Sequence, residues 1–233
     1  MKTVGIIGGL GPETTARFYL EIIFSSYGKT KDHRPPVLLW NIPLPYKIEE
    51  DLITKAKGEE RYIPFLVEAA QRLEKGGADF LVMPCNSLHI FIEDIRKAVN
   101  IPVLSILEET AKFLKEKSIN GVGIIATSTT LKGKLYEKCL TDVGIKQVIP
   151  DDFQQAKIGT IINNLVLNRQ TTSDREEIQK IIDDFSQKGV KTVILACTDL
   201  QLLIPRHDEV ALYDTMKIFA EATVNYLMTE TIG

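Results

Sequence analysis

Two cysteines stand out in the sequence because each follows a short apolar run and precedes a polar stretch. Cys85 comes after Phe80–Met83, and Cys197 comes after Thr192–Leu195. In a parallel sheet such positions lie at the carboxyl ends of strands, where ligands bind. A thiolate can remove a proton from one face of a carbon atom while a thiol returns a proton to the other face. The pair therefore predicts stereoinversion, with one cysteine as base and the other as acid.

The protonation states that this chemistry needs are accessible near neutral pH. A free thiol has a pKa near 8.5, and the N-terminus of a following helix lowers it. The alternative interpretation is that a free cysteine is simply a small buried hydrophobe. We adopt that alternative for Cys139, which lies inside a predicted helix, Leu131–Thr141, and has no counterpart elsewhere. Three cysteines without an export signal predict free thiols and a cytoplasmic protein.

A histidine close to the first cysteine allows two further interpretations. His89 follows Cys85 by one helical turn, so the two could form a nucleophile pair. The sequence favours the second interpretation, in which His89 caps or orients its own loop. Cys85, His89 and Cys197 could also supply three zinc ligands, but no Cys-x-x-Cys pair accompanies them, so no metal site is predicted.

A glycine-rich run, Gly8-Gly9-Leu10-Gly11-Pro12, follows the first apolar segment. It departs from the dinucleotide-binding pattern because Thr14 stands where the third glycine belongs. We predict instead a tight turn whose backbone N–H groups, with Pro12 at the first helical position, receive a small anion. The run 127–130, Thr-Ser-Thr-Thr, offers hydroxyls and amides for the same purpose in the second half. The alternative for these hydroxyls is helix N-capping.

Both motifs belong to an internal repeat. Val4–Ile7, with Thr14 and Thr15 after it, returns as Val122–Ile125 with Thr129 and Thr130 after it. The two cysteine motifs repeat at a similar offset. We therefore expect two similar α/β lobes, each with a mostly parallel sheet flanked by helices and related by a pseudo-twofold duplication. The predicted first lobe comprises residues 1–100 and a C-terminal helix from about 214 to 233, the second lobe comprises residues 101–213, and the boundary lies near Asn100-Ile101-Pro102.

The elements follow from apolar runs that alternate with amphipathic stretches, a pattern typical of α/β proteins. The predicted strands are Thr3–Ile7, Val37–Asn41, Phe80–Met83, Val103–Ile106, Val122–Ile125, Lys146–Ile149, Thr192–Leu195 and Val210–Leu212. The predicted helices are Pro12–Ser25, Tyr62–Lys75, His89–Ala98, Glu108–Glu116, Leu131–Thr141, Gln154–Asn168, Arg175–Lys188 and Thr215–Met228.

Composition excludes several classes of protein. The chain has 233 residues, of which 44% are hydrophobic and 25% charged, as expected for a globular domain and not for a disordered chain. The formal net charge is −3, and no block of like charge indicates a nucleic-acid partner. No apolar run reaches the length of a membrane span.

Four motifs, taken in order, resemble the aspartate/glutamate racemase family, and specifically its aspartate racemase branch. They are Ile6–Glu13, Pro84–His89, Ala126-Thr127 with Thr130, and Ala196–Asp199. The resemblance covers essentially the whole chain. It implies a racemase of two α/β lobes that acts on an amino acid without metal, flavin or pyridoxal phosphate, and that is usually a homodimer. It also implies that Cys85 and Cys197 are the catalytic pair.

The resemblance further implies a set of residues that hold the substrate. They are Leu10, Asn86, Ser87, Thr127, Thr130, Thr198 and Lys157, with Lys157 as the cation near a carboxylate. Aspartate racemases tend to carry an arginine after the second strand, and the nearest cation here is Lys47, which gives a point charge and not a bidentate fork. Aspartate is thus the first expected substrate. Glutamate, a broader set of amino acids, an isomerase or decarboxylase that uses one cysteine covalently, and a binding protein on the same fold are the alternatives.

Overall fold

The structure, a computed structural model, describes residues 1–30, 33–48, 58–203 and 206–229. The chain divides into two compact units. The first comprises Met1–Glu109 with the C-terminal segment that begins at Met216, and the second comprises Thr110–Thr215. Within the described residues, no helix combines the length and the apolar character that a membrane crossing requires.

The first unit contains a parallel three-stranded sheet in the order β2-β1-β3. Its elements up to the point where the chain leaves it are β1 (Val4–Gly8), α1 (Pro12–Ser26), β2 (Val37–Asn41), α2 (Ile63–Lys75), β3 (Phe80–Val82), α3 (Ile92–Ala98) and the start of α4 (Ile106–Glu116). Short 3₁₀ helices at Glu59–Tyr62 and Ser87–Phe91 precede α2 and α3.

The second unit contains a parallel four-stranded sheet in the order β5-β4-β6-β7. Its elements are β4 (Gly121–Ala126), α5 (Ser128–Lys132), α6 (Leu135–Asp142), β5 (Lys146–Val148), α7 (Asp152–Val166), α8 (Thr172–Gln187), β6 (Thr192–Ala196), a 3₁₀ helix (Leu200–Leu202) and β7 (Ala211–Asp214). The last helix, α9 (Thr215–Leu227), returns the chain to the first unit.

The cores explain why these segments fold as they do. All residues of β1 and of β6 are buried, as continuous apolar strands must be when helices cover both faces of a parallel sheet. Helices contribute one apolar stripe each at the spacing of a helical face. In α2 the stripe is Leu66, Ala69, Ala70 and Leu73, and in α8 it is Ile178, Ile181, Ile182 and Phe185. The α/β class with two parallel sheets is thereby confirmed, and both units place their first strand between their second and third.

Three predicted elements differ in the structure. The predicted strand Val103–Ile106 is only an isolated bridge from Val103 to Leu81, because α4 already begins at Ile106. The predicted helix Leu131–Thr141 is two helices, broken at Gly133 and at Lys134, whose φ of 52° is left-handed. The predicted helix His89–Ala98 starts only at Ile92, as α3, and the segment Ser87–Phe91 before it is a 3₁₀ helix.

The boundary between the units also lies further along the chain than the region 100–102 suggested. The first unit extends to Glu109 because backbone hydrogen bonds attach this segment to β3. The N–H of Leu81 donates to the carbonyl of Pro102 at 2.8 Å, and the N–H of Leu104 donates to the carbonyl of Leu81 at 3.0 Å.

Candidate active site

The Cys85 loop, residues 83–91, follows β3 and is held closely by its own hydrogen bonds. The N–H of Cys85 donates to the carbonyl of Met83 at 2.8 Å, and the N–H of His89 donates to the carbonyl of Asn86 at 3.1 Å. Cys85 is half-buried, and Asn86 is buried. The loop therefore brings Cys85, Asn86 and Ser87, three of the predicted site residues, into one short segment at the carboxyl end of a strand.

The imidazole of His89 is buried beneath this loop, and its hydrogen bonds identify the proton position. Nε2 accepts the N–H of Ile106 at 3.1 Å, and Nδ1 lies 2.6 Å from the carbonyl oxygen of Cys85. A backbone N–H can only donate and a carbonyl can only accept, so the proton resides on Nδ1 and the ring is neutral. Burial lowers the pKa of His89 to about 4, although the bond to the Cys85 carbonyl opposes that shift.

These contacts decide between the interpretations of His89. The unprotonated ring nitrogen, Nε2, already accepts the N–H of Ile106. Its lone pair is therefore not available for a proton from the thiol or for zinc. Among the described residues, no group of His, Cys, Asp and Glu side chains could hold a metal ion. The interpretation of His89 as a residue that orients its own loop is confirmed.

The glycine-rich turn between β1 and α1 is tight, as predicted, and a threonine closes it. The hydroxyl of Thr15 accepts the N–H of Gly9 at 3.0 Å and donates to the carbonyl of Gly11 at 2.9 Å. Gly9 has a φ of +86°, and a Cβ there would lie 2.8 Å from the backbone nitrogen of Ile42, so glycine is required. One N–H group that the sequence offered to an anion is thus already bound, and Leu10 lies half-buried in the same turn.

The Cys197 loop, residues 197–202, follows β6 in the second unit and is held by different partners. Cys197 is buried, and its Sγ lies 3.9 Å from Oδ2 of Asp199, to which the thiol donates. The N–H of Leu200 donates to the carbonyl of Cys197 at 3.1 Å. The side chain of Gln201 donates to the carbonyl of Thr198 at 3.0 Å. The sequence places Asp199 at the end of the motif Ala196–Asp199 but does not predict its contact with the thiol.

The threonine turn after β4 forms a helix cap. Thr127 precedes α5, and its Oγ1 accepts the N–H of Thr130 at 3.2 Å and lies 3.0 Å from the Thr130 hydroxyl. The N-capping alternative is therefore confirmed for Thr127. Gln155 of α7 also holds this turn, because its Nε2 donates to the carbonyl of Ala126 at 3.1 Å. No sequence signal marks Gln155, since it is one glutamine of an ordinary amphipathic helix.

The two predicted cations lie in dissimilar surroundings. Lys157 forms an ion pair with Glu177 of α8, and its ammonium lies 4.5 Å from the ring centroid of Phe153. The hydrogen bond from Lys157 lowers the pKa of Glu177. Lys47 is exposed in the segment after β2. The cation that the resemblance implies beside a substrate carboxylate thus pairs with a protein carboxylate in this structure.

Cys139 lies in a helix, as the sequence predicted, but it is half-buried and not a fully buried hydrophobe. It lies inside α6, and its thiol donates to the carbonyl of Tyr136 at 3.3 Å, a contact within its own helix. No strand end leads into it, in contrast to Cys85 and Cys197.

The family model for Asp/Glu/Hydantoin racemases matches residues 7–223. The chain belongs to this racemase family. The resemblance drawn from the cysteine and glycine motifs is thereby confirmed, and family membership supports an amino-acid racemase activity.

This chain is similar to individual racemases over almost their full lengths. The chain is 28% identical to the broad specificity amino-acid racemase RacX of Bacillus subtilis (strain 168), over 95% of this chain and 96% of that protein. An aspartate racemase homologue from Pyrococcus horikoshii OT3 superposes with a TM-score of 0.81 and 26% identity, over 98% of this chain and 100% of that one. The Picrophilus torridus aspartate racemase shares the fold, with a TM-score of 0.79 and 24% identity over 97% and 94% of the two chains.

Proposed function

We propose that the protein is a cofactor-independent amino-acid racemase with Cys85 and Cys197 as its acid and base, and that aspartate is its preferred substrate. The observation that carries the proposal is the equivalence of the two cysteine loops. Each follows a strand that pairs with the first strand of its own sheet, β3 with β1 and β6 with β4. Family membership adds the reaction class.

In the proposed reaction, one cysteine as thiolate removes the α-proton, and the other as thiol delivers its proton to the opposite face. The enzyme is left with the two protonation states exchanged, so the product form of the protein is ready for the other enantiomer. Fixed N–H and hydroxyl dipoles from the polar loops reduce the cost of the carbanion-like transition state. Asn86, Ser87, Thr127, Thr130, Thr198 and Leu10 are the proposed substrate contacts.

Two lysines are proposed to bind the side-chain carboxylate of the substrate. Lys157 already accommodates a carboxylate, that of Glu177, and an aspartate carboxylate could exchange with it. Lys47 is the proposed counterpart of the family's arginine. Lys157→Met should raise KM for aspartate about tenfold with a smaller change in kcat, since the loss of an ion pair to the substrate affects binding first. An unchanged KM would assign the carboxylate to another group.

We also propose a homodimer in the cytoplasm, on the basis of the family resemblance and of three cysteines with no disulfide among the described residues. Size-exclusion chromatography with light scattering tests the dimer.

The substrate proposal is tested by incubating the purified protein with each L- and D-amino acid separately in heavy water. We expect α-deuteration and loss of optical activity with aspartate, measured by NMR and chiral chromatography. Deuteration of a different amino acid would replace aspartate as the substrate. Release of carbon dioxide would favour the one-cysteine decarboxylase, and binding without any exchange would favour a binding protein.

A further inference from the structure

We propose that His89 is a positioning residue for the Cys85 thiol: through Nδ1–H it fixes the carbonyl of Cys85, and through Nε2 it attaches the Cys85 loop to the first turn of α4. This inference rests on the proposed function, since it concerns the thiol that would react. The ring would act on the substrate only through the loop, and it is therefore not a catalytic residue.

The ring joins two segments that are separate in sequence. Its bond to the carbonyl of Cys85 spans four residues and measures 2.6 Å, whereas its bond from the N–H of Ile106 spans seventeen residues and measures 3.1 Å. Ser105, the residue before Ile106, caps α4 by accepting the N–H of Leu107 at 3.2 Å. The anchor of the loop is thus a capped helix start and not a mobile turn.

The surroundings make both bonds costly to lose. His89 is 2% exposed and Ile106 is fully buried, so no water replaces a broken bond at either end. The ring of Phe219 from α9 packs edge-on at a centroid distance of 6.4 Å and restricts rotation of the imidazole. The donor on one side and the acceptor on the other therefore stay in fixed positions.

The consequence for the thiol follows from backbone geometry. Both polar backbone groups of Cys85 are held, the N–H by Met83 and the carbonyl by His89. With the backbone fixed at this residue, the thiol can point only along its few side-chain rotamers. In the Cys197 loop a backbone donor, the N–H of Leu200, holds the equivalent carbonyl. The carbonyl of Cys85 is thus bound by a side chain, whereas the carbonyl of Cys197 is bound by a backbone N–H.

Two amide substitutions distinguish the bond to the Cys85 carbonyl from the bond to the N–H of Ile106. In His89→Asn the amide nitrogen takes the place of Nδ1 and retains a donor for the Cys85 carbonyl. In His89→Gln the amide takes the place of Nε2 and retains an acceptor for the N–H of Ile106, but the Cys85 carbonyl is released. If His89 is only structural, the two variants should differ in stability alone.

Two readouts are taken on each variant: kcat for aspartate, and the limiting rate at high pH of Cys85 alkylation by iodoacetamide, followed by peptide mass spectrometry. We expect His89→Gln to lose about tenfold in kcat and to raise the alkylation rate several-fold, because a released loop misplaces and exposes the thiol. His89→Asn keeps the bond to the Cys85 carbonyl and loses only the bond from Ile106, so both values should change by less than in His89→Gln. Equal changes in the two variants, or a larger change in His89→Asn, would overturn the proposal.

A buried histidine of the second unit provides the matched control. Nδ1 of His207 accepts the N–H groups of Glu209 and Val210 at 3.1 and 3.2 Å, and Nε2 lies 3.0 Å from Asp183. His207→Gln should lower Tm but alter Cys85 alkylation by less than about twofold, since the contacts of His207 do not involve the Cys85 loop.

The wild-type protein itself provides a check that needs no folded variant. NMR of ¹⁵N-labelled histidine should show His89 with the proton on Nδ1, and a proton on Nε2 would overturn the proposal. The alkylation and NMR readouts require no turnover. A wild-type protein that racemises no amino acid would therefore contradict the proposed function while these two readouts still judge the role of His89.

Discussion

Cys85 and Cys197 follow corresponding strands of the two units, yet different chemical groups hold their loops. At Cys85 a neutral, buried imidazole binds the backbone carbonyl, and the thiol is half-buried. At Cys197 a backbone N–H binds the carbonyl, and a carboxylate, that of Asp199, lies 3.9 Å from the sulfur. Only a protonated thiol can donate to that carboxylate.

The difference shows which features a repeat retains and which it varies. The strand order and the place of the cysteine after the third strand are common to both units. The groups that bind the two cysteine carbonyls are not. The proposed racemisation needs one thiol and one thiolate at a time, and the Asp199 carboxylate lies close to the sulfur of Cys197.

The largest expected effect comes from removing either thiol. Cys85→Ser and Cys197→Ser should each lower kcat for racemisation by about 10³-fold, because a serine hydroxyl does not ionise in this pH range and is a poor proton acceptor. Cys139→Ser should stay within about twofold of wild type, since a hydroxyl can also donate to the carbonyl of Tyr136. Chiral chromatography of the product measures all three rates. Substantial racemisation by either loop variant would mean that the two cysteines are not a functional pair.

The histidine under the Cys85 loop predicts a pH dependence of stability. The pKa of His89 is lowered from 6.5 to about 4, so between these values the unfolded chain binds a proton that the folded protein does not. The contribution of neutral His89 to the free energy of unfolding is fully present above about pH 6.5. It is lost as the pH falls toward 4, by about 3 kcal/mol in total. Urea unfolding at several pH values measures it.

Matched variants assign this pH dependence to His89. Arg96 of α3 and Glu108 of α4 act on the ring with opposite signs, Arg96 against the protonated form and Glu108 in favour of it, and both remain in every variant. His89→Asn should therefore be less stable above pH 6.5 but should lose less stability on acidification. An equal slope in wild type and variant would show that other groups cause it.

Two glycines test whether the central strands are equivalent. Gly5 lies opposite Leu81 in the register of β1 with β3, and Gly123 lies opposite Val193 in the register of β4 with β6. A Cβ on Gly5 would be 2.6 Å from Cδ2 of Leu81, and one on Gly123 would be 2.9 Å from Cγ2 of Val193. Alanine at either position should lower the free energy of unfolding by about 1–3 kcal/mol through overpacking.

The control for the glycine pair lies within a helix. A Cβ on Gly159 of α7 meets no atom within 4 Å, so Gly159→Ala should stabilise the protein by about 0.5–1 kcal/mol. If only one of the two strand glycines tolerated alanine, the central strands would not be packed alike.

The smallest expected effect concerns the carboxylate beside Cys197. Asp199→Asn removes a negative charge close to the Cys197 sulfur, so the pH midpoint for alkylation of Cys197 should move down. The midpoint for Cys85 should not move. Peptide mass spectrometry reports both cysteines in one experiment, and equal shifts at the two would contradict a local contact.

Most strands and helices could be predicted from the sequence, because the buried strands are continuous apolar runs and the helices carry one apolar stripe. The strand prediction was wrong at Val103–Ile106, a segment that is as apolar as the true strands. There Ser105, with Glu108 three residues later, is a capping-box signal that starts α4, and this local preference prevails over the β-branched residues before it.

The site was predictable only in part. The strand-end cysteines and the Thr127 cap depend on neighbours in sequence, and local patterns reveal such neighbours. The contact of His89 with Ile106 and the pair of Lys157 with Glu177 join different elements, and they depend on how helices and loops pack. A single sequence carries no pattern for such contacts.

The central claim is that each cysteine serves one enantiomer, and hydrogen exchange without inversion tests it most directly. Each serine variant is incubated with L-aspartate and with D-aspartate in heavy water, and α-deuteration is followed by NMR. The remaining thiol can still remove a proton from its own side and return a deuteron there, so Cys85→Ser should deuterate one enantiomer and Cys197→Ser the other. Equal deuteration of both enantiomers by a single variant would contradict the claim.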